Sequence, residues 1–404
     1  MRDMSSRRAS IAVTVAFVLN AVQETASSLL PPQSVFIDPL SFAVLGQNHT
    51  FRNSAFESNF NPTSTPPPFF QIFNEGFLNI LGPGPSFHEI ASNPDFGFAY
   101  EAPVYFPETD EIFFSGAPAV GNSSVNSQVN KVNMTEVEGA LGASNGATVN
   151  VTITPLDLPS TVLSTNGGTG PFRGSLLLVG DGLGTQPPAI TLVNPRPPHN
   201  VTVLLNNFFG RQFNSLDDIK VRSTSGNIFF SDVEYGFALG LRPAPLMPNQ
   251  IYRLDPDTRV LRMVADGFSR PNGIAFTEDG KTVYVSDSGA LPDLSGTTIQ
   301  TQPATIYAFD VDSVSERFLN RRVFAYIDAG VPDGLQVDTE GNVYAGTGDG
   351  VQVWDPEGTL LGKLFVGTRT SNMAFAGLGR LVILSQTKLF LARIKAGNVS
   401  LGGK

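Results

Sequence analysis

One phrase recurs along this chain: a polar residue, an apolar strand, a Gly-containing turn, then a second apolar strand. It reads Glu101-Ala-Pro-Val-Tyr before Ile112-Phe-Phe-Ser, Asp217-Asp-Ile-Lys-Val before Ile228-Phe-Phe-Ser-Asp232, and Asn272-Gly-Ile-Ala-Phe before Val283-Tyr-Val-Ser-Asp287. It returns as Asp333-Gly-Leu-Gln-Val before Val343-Tyr-Ala-Gly and as Asn372-Met-Ala-Phe before Leu381-Val-Ile-Leu, with a weaker copy at Asn166-Gly-Gly before Leu176-Leu-Leu-Val. Six copies spaced by roughly 40 to 65 residues fit the blades of a β-propeller, each a four-stranded sheet. Further strand pairs lie between them, such as Gln250-Ile-Tyr-Arg-Leu and Val260-Leu-Arg-Met-Val around the turn Asp255-Pro-Asp-Thr. No segment beyond the N-terminus carries sustained helical periodicity, which argues against a parallel α/β fold. The expected fold is all-β: a six-bladed propeller.

Composition agrees. Charged residues make up 15% of 404, against 40 Gly and 30 Pro, a mix for short strands and tight turns rather than long charged helices. A net charge of -10 without a Lys/Arg cluster excludes a nucleic-acid partner, leaving a small molecule as the expected one. Oligomeric state is not legible.

The N-terminus has its own pattern: Arg7-Arg8, an apolar run from Ile11 to Val22, then the small polar residues Thr25-Ala-Ser-Ser28. This reads as a secretory signal peptide over residues 1–27, since a spanning helix needs about 20 apolar residues. Export brings in the six Asn-X-Ser/Thr sequons as glycosylation sites: Asn48, Asn122, Asn133, Asn150, Asn200 and Asn398. Residues 28–90 read as an irregular strap and 91–404 as the propeller. Gly121 to Asn150, polar and sequon-rich, reads as a solvated loop in the first blade, and Leu291 to Pro303 as a loop in the fourth.

In a propeller the innermost strand of each blade lines the central channel, so residues at one phase of the repeat converge on a ring. Here they are Glu101, Asn166, Asp217, Asn272, Asp333 and Asn372, all with side-chain oxygen. Two bare carboxylates about 4 Å apart repel by about 4 kcal/mol at an effective dielectric near 20. Such a ring therefore calls for protonation or a cation. Oxygen donors without His or Cys suit Ca²⁺ first, then Mg²⁺ or Mn²⁺. Asn-Gly and Asp-Gly pairs are commonly turn formers, but the shared phase favours Glu101, Asn272 and Asp333 as metal ligands. Asp279-Gly280 and Glu340-Gly341 fall between strands and read as turns; Asp232 and Asp287 read as structural. No zincin, phosphate-loop, EF-hand or nucleophile-elbow pattern is present.

At these residues the chain resembles the gluconolactonase/regucalcin (senescence marker protein) family, above all its secreted fungal lactonohydrolases. The resemblance is carried by Tyr100-Glu-Ala-Pro-Val-Tyr, Leu205-Asn-Asn-Phe-Phe-Gly-Arg-Gln-Phe-Asn-Ser-Leu-Asp-Asp218, Val264-Ala-Asp-Gly-Phe, Arg270-Pro-Asn-Gly-Ile-Ala-Phe and Ile327 to Trp354. It implies an axial Ca²⁺ or other divalent ion held at the positions of Glu101, Asn272 and Asp333. Asp333 would double as general base in the hydrolysis of a sugar-acid or related hydroxy-acid lactone, with Tyr100, Asp217 and Asp218 at substrate-binding positions. The chain departs from the family pattern in having Asp217 for Asn, and from the fungal branch in having Tyr100, Gln336 and Gln352 for His. Those departures keep two other functions open: a natural-product cyclase of Diels–Alder type on the same scaffold, and a non-catalytic calcium-binding propeller.

Overall fold

The computed structural model describes residues 30–38, 40–47, 51–56, 59–118, 128–145, 147–293, 298–397 and 399. The expected signal peptide and the sequons at Asn48, Asn122 and Asn398 lie outside the described residues.

Six sheets carry the chain, each at least four strands wide. The inner strands of blades one to six are Glu101–Phe106, Thr165–Phe172, Leu216–Val221, Pro271–Phe276, Leu335–Val337 and Asn372–Phe375. Second strands follow at Glu111–Ser115, Ser175–Gly180, Ile228–Asp232, Thr282–Asp287, Val343–Gly346 and Arg380–Ser385. The four strands that make up each blade pair antiparallel, and connections of two to six residues join each first strand to its second. Most second-strand residues are buried, because each such strand has a sheet partner on both sides and a neighbouring blade on both faces. Aromatic side chains fill those inter-blade spaces: Phe229 of blade three meets Phe276 and Phe318 of blade four at 4.9 and 5.7 Å.

The ring is closed by the two ends of the propeller segment. Ser86–Ser92 pairs with Lys388–Arg393 as the outermost strand of blade six, with Ser86 opposite Arg393 and Ser92 opposite Lys388. Sequence placed most of this strand in the strap; the structure gives it to the sheet. The strap also donates strands. Phe69–Ile72 pairs with the outer strand of blade five, Leu360–Phe365, and Ser34–Phe36 adds beside it in parallel.

The expected solvated loop from Gly121 to Asn150 is corrected. Its described part contains the third strand of blade one, Val129–Asn133, and the helix Met134–Ala143. Met134, Val137 and Leu141 are buried against blades one and six, so their three- and four-residue spacing is a true helical face. Asn133 caps the helix: its Oδ1 accepts from Glu136 N at 3.0 Å while its Nδ2 donates to Thr109 O at 3.2 Å. A sugar on that nitrogen would leave it one N–H for the second bond. Asn150 and Asn200 are exposed.

Truncation of the helix's apolar face tests this packing. Leu141→Ala should cost about 2–5 kcal/mol, the range for a buried leucine. A urea unfolding curve indistinguishable from wild type would show that the helix is not part of the core.

Candidate axial site

Backbone geometry aims the ring residues. In blade one the pairing runs Glu101 to Ser115 and then Val104 to Phe113, so the register shifts just after Glu101. Blades two, three and four shift at Thr165/Gly167, Leu216/Ile219 and Pro271/Ile274, around Asn166, Asp217 and Asn272. A bulge leaves a residue out of the ladder and re-aims its side chain. Here that leaves Asn166, Asp217 and Asn272 free to face the axis, while Glu101 is the last paired residue before its shift.

The glycines after them are not turn glycines. A Cβ on Gly167 would lie 2.2 Å from Asp217 O, one on Gly273 2.5 Å from Asp333 O, and one on Gly334 2.3 Å from the Asn372 side chain. Each inner strand thus approaches the ring residue of the next blade too closely for any side chain. Gly280 and Gly341, with φ of 63° and 87°, are the turn glycines expected between strands. Asp232 and Asp287 are structural: they accept from the backbone N–H groups of Asn214 and Ser215, and of Ser269 and Arg270.

Tyr100, Glu101, Asn166, Asp217, Asn272 and Asp333 line one cavity of about 30 Å³ with Ser288, Arg369 and Tyr235, under a rim containing Pro118, Leu239 and Leu291. That volume holds an ion and a water. Each carboxylate commits one oxygen to a neighbour. Asn372 Nδ2 donates to Glu101 Oε2 at 2.7 Å, Asn166 Nδ2 to Asp217 Oδ1 at 2.5 Å, and Arg369 Nη2 to Asp333 Oδ2 at 2.8 Å. Asp217 Oδ2 is buried with no partner. Glu101 Oε1, Asp333 Oδ1 and the Asn272 amide oxygen likewise accept no hydrogen bond from the described residues. Free oxygens on Glu101, Asn272 and Asp333, with Asp217 beside them, are a donor set that fits a hard divalent cation. Two carboxylates and an amide form that set; among the described residues no three His, Cys, Asp or Glu side chains make a metal-holding cluster by themselves.

Crowding shows in the protonation of the site. Burial, then the charge of Asp333, pushes the Glu101 carboxyl well above its usual range, and the same two causes raise Asp217. Burial raises the Tyr100 and Tyr235 phenols as well, so both remain O–H donors.

One expected participant, Asp218, and the two glutamines that depart from the fungal pattern lie elsewhere. Asp218 points between blades, its Oδ2 accepting from Ile274 N at 2.9 Å, and does not line the cavity. Gln336 donates to Met373 O at 2.9 Å. Gln352 sits in a buried cluster in blade five, donating to Asp328 Oδ1 at 2.8 Å beside Lys363, which bridges Asp328 and Asp349. Neither glutamine lines the axial cavity. Arg369 is the participant that sequence reasoning missed. It lies between blades, off the phase of the repeat, and only its position beside Asp333 reveals it.

Comparison with known proteins places this geometry. The profile of the SMP-30/Gluconolactonase/LRE-like region matches residues 101–387. A lactonohydrolase of Aspergillus oryzae is 30% identical over 344 residues, covering 81% of this chain and 74% of its own length. Among solved structures, a gluconolactonase from Xanthomonas campestris has a TM-score of 0.60 at 24% identity over 80% of this chain and 94% of that one. The calcium-binding protein regucalcin from Agrobacterium tumefaciens has 0.54 at 15% over 78% and 97%. These two likenesses show the shared propeller fold.

Asp181 offers a test of the buried charge behind Asp217. Burial lifts its carboxyl from 3.8 to about 8, with Arg242 pulling the other way. A carboxyl raised on folding stabilises the fold least where it must ionise, so its contribution is lost as pH climbs from about 4 toward 8. Asp181→Asn should therefore raise the melting temperature at pH 8 and leave it nearly unchanged at pH 4. An equal shift at both would remove ionisation as the cause.

Proposed function

The chain belongs to the SMP-30/gluconolactonase/LRE-like family, and from that premise we propose that it is a lactonase whose axial site opens the ring of an aldonolactone or related hydroxy-acid lactone. The observation that carries this reading is the convergence of Glu101, Asn272 and Asp333, each with an uncommitted oxygen, on one small cavity. A floor of carboxylates suits hydrolysis better than a pericyclic cyclisation, which needs a shaped apolar pocket.

Glu101, Asn272 and Asp333 would hold a divalent cation, Ca²⁺ first and Mg²⁺ or Mn²⁺ next. When bound, such an ion supplies Lewis-acid polarisation of the ring carbonyl. Asp333, steadied by Arg369 at Oδ2, also acts as general base. It accepts a proton from water as the water oxygen bonds to the carbonyl carbon. The ring C–O bond then breaks, the departing oxygen takes the proton held by Asp333, and the hydroxy acid so formed releases its carboxyl proton to solvent, leaving a hydroxy carboxylate. Tyr100, protonated and buried in the cavity wall, is placed to donate to the substrate. Asp217 faces the same space and is held by Asn166.

In a pH-stat assay with five- and six-membered aldonolactones, Asp333→Asn should lower turnover about 10²–10⁴-fold, the usual weight of a general base. Asp217→Asn should leave turnover largely intact. Chelation should lower the melting temperature, because a ligand bound only to the folded state stabilises it. Wild-type protein saturated with Ca²⁺ that opens no lactone would sink the reading.

We also propose that the protein is exported. Made in a eukaryotic secretory host, it should begin near Ser27 or Ser28 and lose mass on glycosidase treatment, as sugars at the exposed Asn150 and Asn200 require. An intact, unglycosylated N-terminus would contradict this.

A further inference from the structure

Arg369 is an arginine with donors to spare. Three other partly or fully buried arginines spend two or more donors on structure, while Arg253 and Arg270 make one hydrogen bond each, to Glu316 and Glu234, away from Asp333. Arg242 donates to Gly184 O, Gln186 O and Gln212 Oε1. Arg380 donates to Ala376 O, Tyr105 OH and both oxygens of Asp110. Arg222 joins Gly280 O to Glu316. Arg369 makes a single hydrogen bond among the described residues, Nη2 to Asp333 Oδ2 at 2.8 Å. A guanidinium carries five N–H donors in a rigid fork, so most of this one is uncommitted.

Its placement is firm. The Arg369 carbonyl accepts from Ser385 Oγ at 2.7 Å, and the next residue, Thr370, donates its N–H to Thr347 O at 2.8 Å. The guanidinium stands 5.7 Å from the Tyr100 ring centre, over its face, with 27% of the side chain exposed. It is the one cationic side chain among the described residues lining the axial cavity, beside Glu101, Asp217 and Asp333.

We propose that Arg369 is the acyl-oxygen binding residue of this site. It takes the lactone carbonyl oxygen as negative charge builds there, and then the carboxylate of the opened product. This rests on the lactonase reading above. Ring opening turns a neutral ester into an anion, and it does so against three carboxyl side chains. A planar fork with free N–H groups matches a carboxylate in a bidentate way, which an ammonium cannot do. The ion pair with Asp333 keeps the guanidinium aimed at the place where the base works.

The experiment separates this from a mere role in holding Asp333. With Ca²⁺-loaded protein, Arg369→Gln should lower kcat/KM for the lactone about 10²–10³-fold, the weight of an oxyanion donor. Arg369→Lys, which keeps the charge beside Asp333, should recover only part of it. The decisive readout does not need turnover. Acetate, which carries the product's carboxylate without its chain, should raise the wild-type melting temperature beyond a chloride control of equal ionic strength, with a smaller shift in Arg369→Lys and none in Arg369→Gln. Equal acetate shifts in all three proteins, or none in wild type, would overturn the proposal. Full recovery of kcat/KM by lysine would overturn it too, by showing that only the ion pair matters. An acetate shift confined to proteins with Arg369, in a wild type that opens no lactone, would retain the anion site and defeat the lactonase reading instead.

Discussion

At three of the blade junctions the inner strands meet near the axis with no room for a side chain at the residue after the ring position, and much of the site follows from that approach. Gly167, Gly273 and Gly334 each face the ring residue of the next blade at a distance that even one methyl group would violate. Serines on the second strands tie the same contacts together. Ser231 Oγ receives Asp218 N and donates to Asn272 O; Ser286 Oγ receives Gly273 N and donates to Asp333 O. A donor in one blade is thus linked to the backbone of a site residue in the next. The ring residues are fixed from both sides before any ligand arrives, which is what a precise oxygen cage needs.

Against that rigid frame the electrostatics are unfavourable, and the unfavourable part is local. Glu101, Asp217 and Asp333 share a small, buried space, and Glu101 and Asp217 bind protons more tightly for it. Amides from adjacent blades, Asn372 and Asn166, orient two of the carboxylates without neutralising them. Arg369 contributes the cavity's only positive side chain among the described residues. Asp217 stands where the family resemblance leads one to expect Asn, and Arg369 supplies a charge of opposite sign near that addition. Ionised, the three carboxylates and Arg369 sum to two negative charges, the number a divalent cation cancels.

The repeat made the fold and the ring legible because propeller symmetry turns equal phase into common location. Glu101, Asn166, Asp217, Asn272 and Asp333 all reached the cavity on that basis. What phase could not convey was anything off the inner strand. Arg369 lies three residues before Asn372, in a connection whose path depends on packing. Asp218 is next to a ring residue, yet the bulge that turns Asp217 inward turns it toward Ile274. The helix Met134–Ala143 was hidden by its setting, since Asn133 gives both a sequon and an N-cap and the apolar face has only three buried side chains. Ser86–Ser92 lacks clean alternation, with Phe87, Ile90 and Ala91 buried across a register shift, and its partner is some 300 residues away.

Connectivity finally explains why the floor and the rim of the cavity differ in chemistry. In an antiparallel blade the second strand ends beside the start of the first, so the connection from second to third strand emerges at the end that carries the ring residues. Pro118 of blade one, Tyr235 and Leu239 of blade three and Leu291 of blade four all belong to such connections, and all line the cavity. In blades five and six the same connections are short, running from Gly346 to Gly350 and from Ser385 to Lys388. The inner strands cannot vary without breaking the glycine contacts, whereas these loops meet no such limit. A polar floor set by the fold therefore lies beneath a partly apolar rim set by a few loops, so substrate choice can change by loop substitution while the ring-opening chemistry stays where it is.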